Sequence, residues 1–152
     1  MKRIIVFSLL LVILALGHIT QASAQESPSM DHIALYVFDL DKSAEFYKNV
    51  MKFEVIPEPF HDDKHVWFRI GSHSKLHIIK GAASVTDHDI NSHFAYHVTD
   101  LKKFMQHLDK LKVKYGNWAG DEKATQARPD GVTQIYLKDP DNYWIEVNDD
   151  KS

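Results

Sequence analysis

His32-Ile-Ala-Leu-Tyr-Val-Phe-Asp39-Leu40-Asp41-Lys42 returns 61 positions later as His93-Phe-Ala-Tyr-His-Val-Thr-Asp100-Leu101-Lys102-Lys103, with six of eleven positions identical. A self-match at fixed offset marks a repeated supersecondary unit. Each copy reads as a strand of alternating character that runs into Asp-Leu and a helix. The second helix, Leu101 to Val113, carries an apolar stripe at Leu101, Phe104, Met105, Leu108 and Leu111. The first, Asp41 to Met51, carries Ala44, Tyr47 and Met51 with Phe46 and Val50 beside them. Asp39 or Asp41 in the first copy and Asp100 in the second are natural N-caps, because a short carboxylate can accept from the free N–H groups of a first turn.

Strand signals follow each helix. In the first half they are Phe53 to Ile56, His65 to Ile70 and Lys75 to Lys80; in the second, Lys114 to Tyr115, Val132 to Lys138 and Tyr143 to Asn148. Asp139-Pro140-Asp141-Asn142 is the hairpin turn between the last two. Each half is therefore β-α-β-β-β, an α+β class. The domain spans 30–149, with module one at 30–81, a linker at 82–91 and module two at 92–149. The long loop from Gly116 to Gly131 holds Trp118 and Arg128, and loops of that length in a compact domain are commonly lids or binding loops.

Working outward to the N-terminus, Lys2 and Arg3 precede an apolar run from Ile4 to Leu16, and Ala22-Ser23-Ala24 supplies an A-x-A cleavage signal. Residues 1–24 read as a secretory signal peptide and 25–29 as a short leader, so the expected location is periplasmic or secreted, without stable membrane association after cleavage. Cleavage removes two cations and no acid, which leaves the domain more acidic than the net −3 of the whole 152-residue chain. With no basic stripe, nucleic acid is not the expected partner; a small-molecule substrate is. The chain has no Cys, which excludes disulfide scaffolds, thiol nucleophiles and zinc ribbons, and its ten His make His, Asp and Glu the expected metal ligands.

Period-two alternation decides which of these side chains can meet. His32, Ala34 and Tyr36 share the less apolar face of the first strand, and His93, Ala95 and His97 the matching face in the second copy. His77 and Glu146 occupy the corresponding last strands of the two halves. If the halves pair about a pseudo-twofold, His32, His77, His93 and Glu146 can converge as three imidazoles and one carboxylate, a good set for a first-row divalent ion. His97 could support a ligand or touch substrate. Tyr36, Trp67, Trp118 and Tyr136 could wall a pocket or simply build core, and Arg128 could pair with an anion or lie in solvent. His61, His65, His73, His88 and His107 are read as solvated loop, strand-end or helix residues.

Three segments carry a resemblance. They are Met30-Asp31-His32-Ile-Ala-Leu-Tyr-Val with Phe46-Tyr47, then Ser92-His93-Phe-Ala-Tyr-His-Val, then Leu137-Lys-Asp139-Pro140-Asp141-Asn142-Tyr-Trp-Ile145-Glu146-Val. Together they resemble the vicinal-oxygen-chelate superfamily of glyoxalase I, bleomycin- and fosfomycin-resistance proteins, extradiol dioxygenases and methylmalonyl-CoA epimerase. The resemblance implies two βαβββ modules forming a cup-shaped, barrel-like mixed sheet with helices outside. It implies one divalent ion (Zn, Ni, Fe, Mn or Co) on His32, His77, His93 and Glu146, with Glu146 as the catalytic proton carrier, and modules that often pair across a homodimer. Glyoxalase I commonly has Glu where this chain has His77. The His32, His93, Glu146 subset equally suits a dioxygenase or a fosfomycin-resistance enzyme. A lactoylglutathione lyase-like lyase or isomerase is the leading implication, and a non-catalytic sequestering module is the contrasting one.

Overall fold

In the computed structural model, residues 27–151 are described; the expected signal peptide lies outside them. No described helix is long and apolar enough to cross a membrane. Module one contains β1 (His32–Val37), helix α1 (Leu40–Glu45), β2 (Glu54–Ile56), β3 (His65–Arg69) and β4 (Lys75–Lys80). Module two contains β5 (His93–His97), helix α2 (Leu101–Leu111), β6 (Gln126–Ala127), β7 (Thr133–Lys138) and β8 (Trp144–Asn148). Each module makes one four-stranded sheet, ordered β1-β4-β3-β2 in the first and β5-β8-β7-β6 in the second. In both, the first strand lies parallel to the last and the rest of the sheet is antiparallel. The α+β, two-module reading is thus the observed one. The two sheets remain separate, however, and are not closed into the barrel-like cup.

The repeat extends to the caps. Asp39 accepts from the Lys42 amide at 3.1 Å and Asp100 from the Lys103 amide at 2.8 Å, so each Asp-Leu pair starts a helix in the same way. The first helix departs from a single α-helix: α1 gives way to a π-helical stretch at Phe46–Val50. This widened turn places both Tyr47 and Val50 in the core. In module two the strand expected at Lys114–Tyr115 does not form. Gly116 instead makes isolated bridges to Tyr136 and Glu122, and the edge strand is supplied further on by Gln126–Ala127. A Cβ at Gly116 would stand 2.5 Å from the Asp121 carbonyl oxygen, so the loop can turn this tightly only on glycine.

Leu35, Val37, Phe68, Leu76, Ile78, Leu108, Ile135, Leu137, Ile145 and Val147 make one core, the outward halves of the strand alternation meeting both helices. Full burial of such a side chain contributes roughly 1.5–3 kcal/mol. Leu111, at the end of the α2 stripe, is left exposed. The modules are joined by the Asp139–Asn142 turn. Asp141 accepts from the Phe38 amide and the Ser43 hydroxyl, both at 2.7 Å, and Asp139 accepts from the Tyr47 hydroxyl at 2.6 Å. Burial pushes the Asp139 carboxyl up to about 6, against the lowering effect of its hydrogen bonds from the Tyr47 hydroxyl and the Tyr143 and Asp141 amides.

Candidate metal centre

Strand register puts equivalent residues at equivalent heights on the face of each sheet turned away from the core. In module one, His77 stands opposite Ala34 of β1 and Trp67 of β3. In module two, Glu146 stands opposite Ala95 of β5 and Tyr136 of β7. His32 and His93 begin their strands on the same faces. The structure therefore gathers the four sequence-derived ligands as two pairs, one pair per sheet.

Module two holds the tighter pair. His93 Nε2 lies 3.3 Å from Glu146 Oε2. Two ligands of one tetrahedral ion, each about 2.0–2.2 Å from it, stand roughly 3.3–3.6 Å apart, so the pair already has the spacing of neighbouring donors. His93 Nδ1 is 2.7 Å from the Ile90 carbonyl oxygen, and since a carbonyl can only accept, this contact puts a ring proton on Nδ1 and turns Nε2 towards Glu146. Glu146, 5% exposed, is held by Tyr136, whose hydroxyl donates to Oε2 at 2.8 Å, and by Asn148, whose amide donates to Oε1 at 2.8 Å. The Gln134 amide in turn donates to the Tyr136 hydroxyl at 2.7 Å. Burial, and after it the Glu146 carboxylate, pushes the Tyr136 phenol up to about 12, so it stays a donor at neutral pH.

Module one presents imidazoles among aromatic rings. His32 Nδ1 sits 2.6 Å from an Asp31 carboxylate oxygen, an arrangement that orients the ring and frees Nε2. His77 is 5% exposed and its Nε2 has no hydrogen-bond partner. Trp67 stacks on His77 at 4.4 Å, Phe60 lies over it at 5.7 Å, and the His65 and His32 rings are 5.0 and 6.1 Å away. Burial first, then the proximity of His65 and His32, lowers the His77 pKa and keeps it neutral. An unpartnered, neutral, buried imidazole nitrogen is a donor atom that lacks its acceptor, and it fits a metal ion.

Among the other expected pocket residues, Trp118 packs edge-on against Tyr136 at 5.7 Å, while Tyr36 and His97 are exposed on the inner faces of β1 and β5. Arg128 pairs with Asp130 and lies 3.8 Å from Glu146 and 3.9 Å from Asp150, so its charge is largely answered within the chain. A cavity of about 290 Å³ opens beside Tyr136, Lys138 and Trp144 under the 113–122 loop. His65 is not the solvated residue the sequence suggested. Its Nδ1 meets Asp62 at 2.7 Å, and Glu58, Asp62 and His65 bring ligand atoms within 4.8 Å of one another, the one such group of three among the described residues. The His32, His77, His93 and Glu146 ligand atoms do not reach that mutual spacing within one chain. His107 likewise is not simply solvated, since its Nε2 is 3.1 Å from the carbonyl oxygens of Asn49 and Val50 at the end of the first helix. Residues 58–65 carry no motif and no period, which is why their cluster was not foreseen; the support from Gln134 and Asn148 was foreshadowed only by their alternation with Tyr136 and Glu146.

The family described as the Glyoxalase/Bleomycin resistance protein/Dioxygenase superfamily matches residues 29–147. No curated protein sequence matches the chain. Among solved structures, the lactoylglutathione lyase of Agrobacterium tumefaciens is 20% identical, with 84% of this chain and 96% of that one covered at a TM-score of 0.61. The genomically encoded fosfomycin resistance protein of Listeria monocytogenes is 22% identical, covering 83% and 96% at 0.64. A putative glyoxalase family protein from Bacillus anthracis is 23% identical, covering 84% and 98% at 0.67.

Proposed function

This chain belongs to the Glyoxalase/Bleomycin resistance protein/Dioxygenase superfamily, and on that footing we propose an exported, metal-dependent glyoxalase-like enzyme, a lyase or isomerase acting on a small substrate through two neighbouring oxygens. The observation that carries the reading is the 3.3 Å approach of His93 Nε2 to Glu146 Oε2, with the His93 ring proton committed to Ile90. His32, His77, His93 and Glu146 would hold one divalent ion of the Zn, Ni, Fe, Mn or Co group, which when bound supplies Lewis-acid polarisation of a substrate carbonyl. Glu146 takes the proton from the carbon beside that carbonyl and returns it to the neighbouring carbon. Trp67, Tyr36 and Trp118 flank the substrate, with His97 and Arg128 at its margin. Because the two ligand pairs stand on separate sheets, the full set closes in a homodimer, sheet one of one copy facing sheet two of the other.

A second reading, ring-cleaving oxygenation at Fe(II) held by His32, His93 and Glu146, draws support from the cover over His77, whose Nε2 lies beneath neighbouring rings. Elemental analysis of untagged protein, followed by proton exchange in deuterated water with α-hydroxy-carbonyl compounds and oxygen uptake with catechols, separates the readings. Exchange without uptake supports the lyase, uptake without exchange supports the oxygenase, and tight binding with neither overturns both in favour of a sequestering module. Intact mass of the exported protein beginning near Gln25 is the result expected for the signal peptide; full-length chain confined to membranes would overturn it.

A further inference from the structure

We infer that Gln134, Tyr136 and Asn148 are positioning residues that divide the labour of the Glu146 carboxylate, reserving Oε2 for the metal ion and withholding Oε1 from it. The inference rests on the metal-dependent reading above, and it resolves a difficulty that reading contains. With His77 in the place of a second acid, one carboxylate must both ligate and carry the proton, and it can do both at once only if each oxygen keeps one task.

The geometry assigns them. Oε2 is the oxygen 3.3 Å from His93 Nε2, and it receives the Tyr136 hydroxyl at 2.8 Å. That hydroxyl has a single proton. Because the Gln134 amide donates to the same oxygen atom at 2.7 Å, the phenol proton is directed onto Glu146 and away from Gln134. Oε1 is engaged by the Asn148 amide at 2.8 Å and has the Arg128 guanidinium 3.8 Å away, so the carboxylate cannot swing to offer both oxygens without breaking that bond. The four residues stand on one face of the β7–β8 hairpin, where Tyr136 is the register partner of Glu146 and Gln134 that of Asn148. All four are buried, so the donors exchange poorly with water. Glu146 is thereby held in one rotamer as a one-oxygen ligand, with Oε1 left on the carboxylate edge as the proton-carrying atom.

The test uses the full chain titrated with Co(II), reading both the dissociation constant and the visible d–d absorption, which weakens as coordination number rises. Tyr136→Phe keeps the ring and deletes the proton donated to Oε2; it is expected to weaken Co(II) binding about 10–100-fold. Asn148→Ala releases Oε1; affinity is expected to hold within a few-fold while the d–d bands lose intensity as the carboxylate chelates through both oxygens. Gln134→Met fills similar volume and carries the same test of the phenol's orientation if Tyr136→Phe fails to fold, as judged by circular dichroism. Unchanged affinity and spectra in the folded variants would overturn the division of labour while leaving the metal-dependent reading standing. A wild-type chain that takes up no Co(II) and contains no metal as purified overturns that reading, and the division of labour with it.

Discussion

The inner faces of the two sheets share one backbone plan and the matched His32/His93 and Ala34/Ala95 of their first strands, but they differ in chemistry on the strands that follow. Where module two has Gln134, Tyr136 and Glu146 in a chain of hydrogen bonds, module one has His65, Trp67 and His77 in a stack of rings. The carboxylate of module two is engaged at both oxygens and, among the described residues, its only buried unpartnered neighbour on that face is the Gln134 Oε1, whereas in module one the Nε2 of the matched His77 and the Nε1 of Trp67 are themselves buried without partners. Matched positions therefore have opposite energetic characters. Removing Glu146 strands its partners; removing His77 strands nothing, and an apolar replacement relieves a buried donor or acceptor of its desolvation cost.

The largest expected effect is on turnover. Glu146→Gln keeps the shape of the side chain but cannot accept the proton, and loss of a general base costs roughly 10²–10⁴-fold in rate. Proton exchange into substrate in deuterated water measures this, and a rate within tenfold of wild type would break the assignment. Next comes the contrast of Glu146→Leu with His77→Leu in metal-free protein. Glu146→Leu leaves the Tyr136 hydroxyl proton and the Asn148 amide N–H without their acceptor, at about 1–3 kcal/mol each, while His77→Leu is expected to be neutral or stabilising. Urea denaturation of the two variants decides it, and equal losses would mean that the two faces are energetically alike.

The joint between the modules gives a pH signature of similar size. The Asp139 carboxyl titrates at about 6 when folded against 3.8 for the unconstrained group, so between these values the folded chain holds a proton that the unfolded chain has released. Stability from this group is fully present below pH 3.8 and declines as pH rises through about 6, by about 3 kcal/mol in all. Asp139→Asn should flatten that slope in denaturation midpoints taken from pH 4 to 7; an unchanged slope would place the titrating group elsewhere. Smallest is the comparison of caps. Asp39→Ala and Asp100→Ala are each expected to cost about 0.5–2 kcal/mol, and thermal denaturation giving a loss for one alone would show that the repeat is not symmetrical in energy.

What was legible in the sequence was what depends on neighbours along the chain. The caps at Asp39 and Asp100, the period-two faces bearing His32, His77, His93 and Glu146, and the hairpin turn at 139–142 all follow from local geometry and short-range hydrogen bonding. The paired repeat then made the βαβββ plan readable twice over.

Tertiary structure decided the rest, because it turns on partners far apart in sequence. Asp139 and Asp141 clasp Tyr47, Ser43 and Phe38 across roughly a hundred residues, and no local pattern distinguishes those acids from ordinary turn formers. The edge strand at Gln126–Ala127 displaced the one expected at Lys114–Tyr115 because Gly116 permits a tight loop before the chain rejoins β7. The sequence alone made His32, His77, His93 and Glu146 face the same way on their own strands; only the packed sheets set His93 3.3 Å from Glu146 while leaving His32 and His77 on the other sheet. Side-chain alternation is a property of a single strand, but the distance between two strands is fixed by the core that packs beneath them.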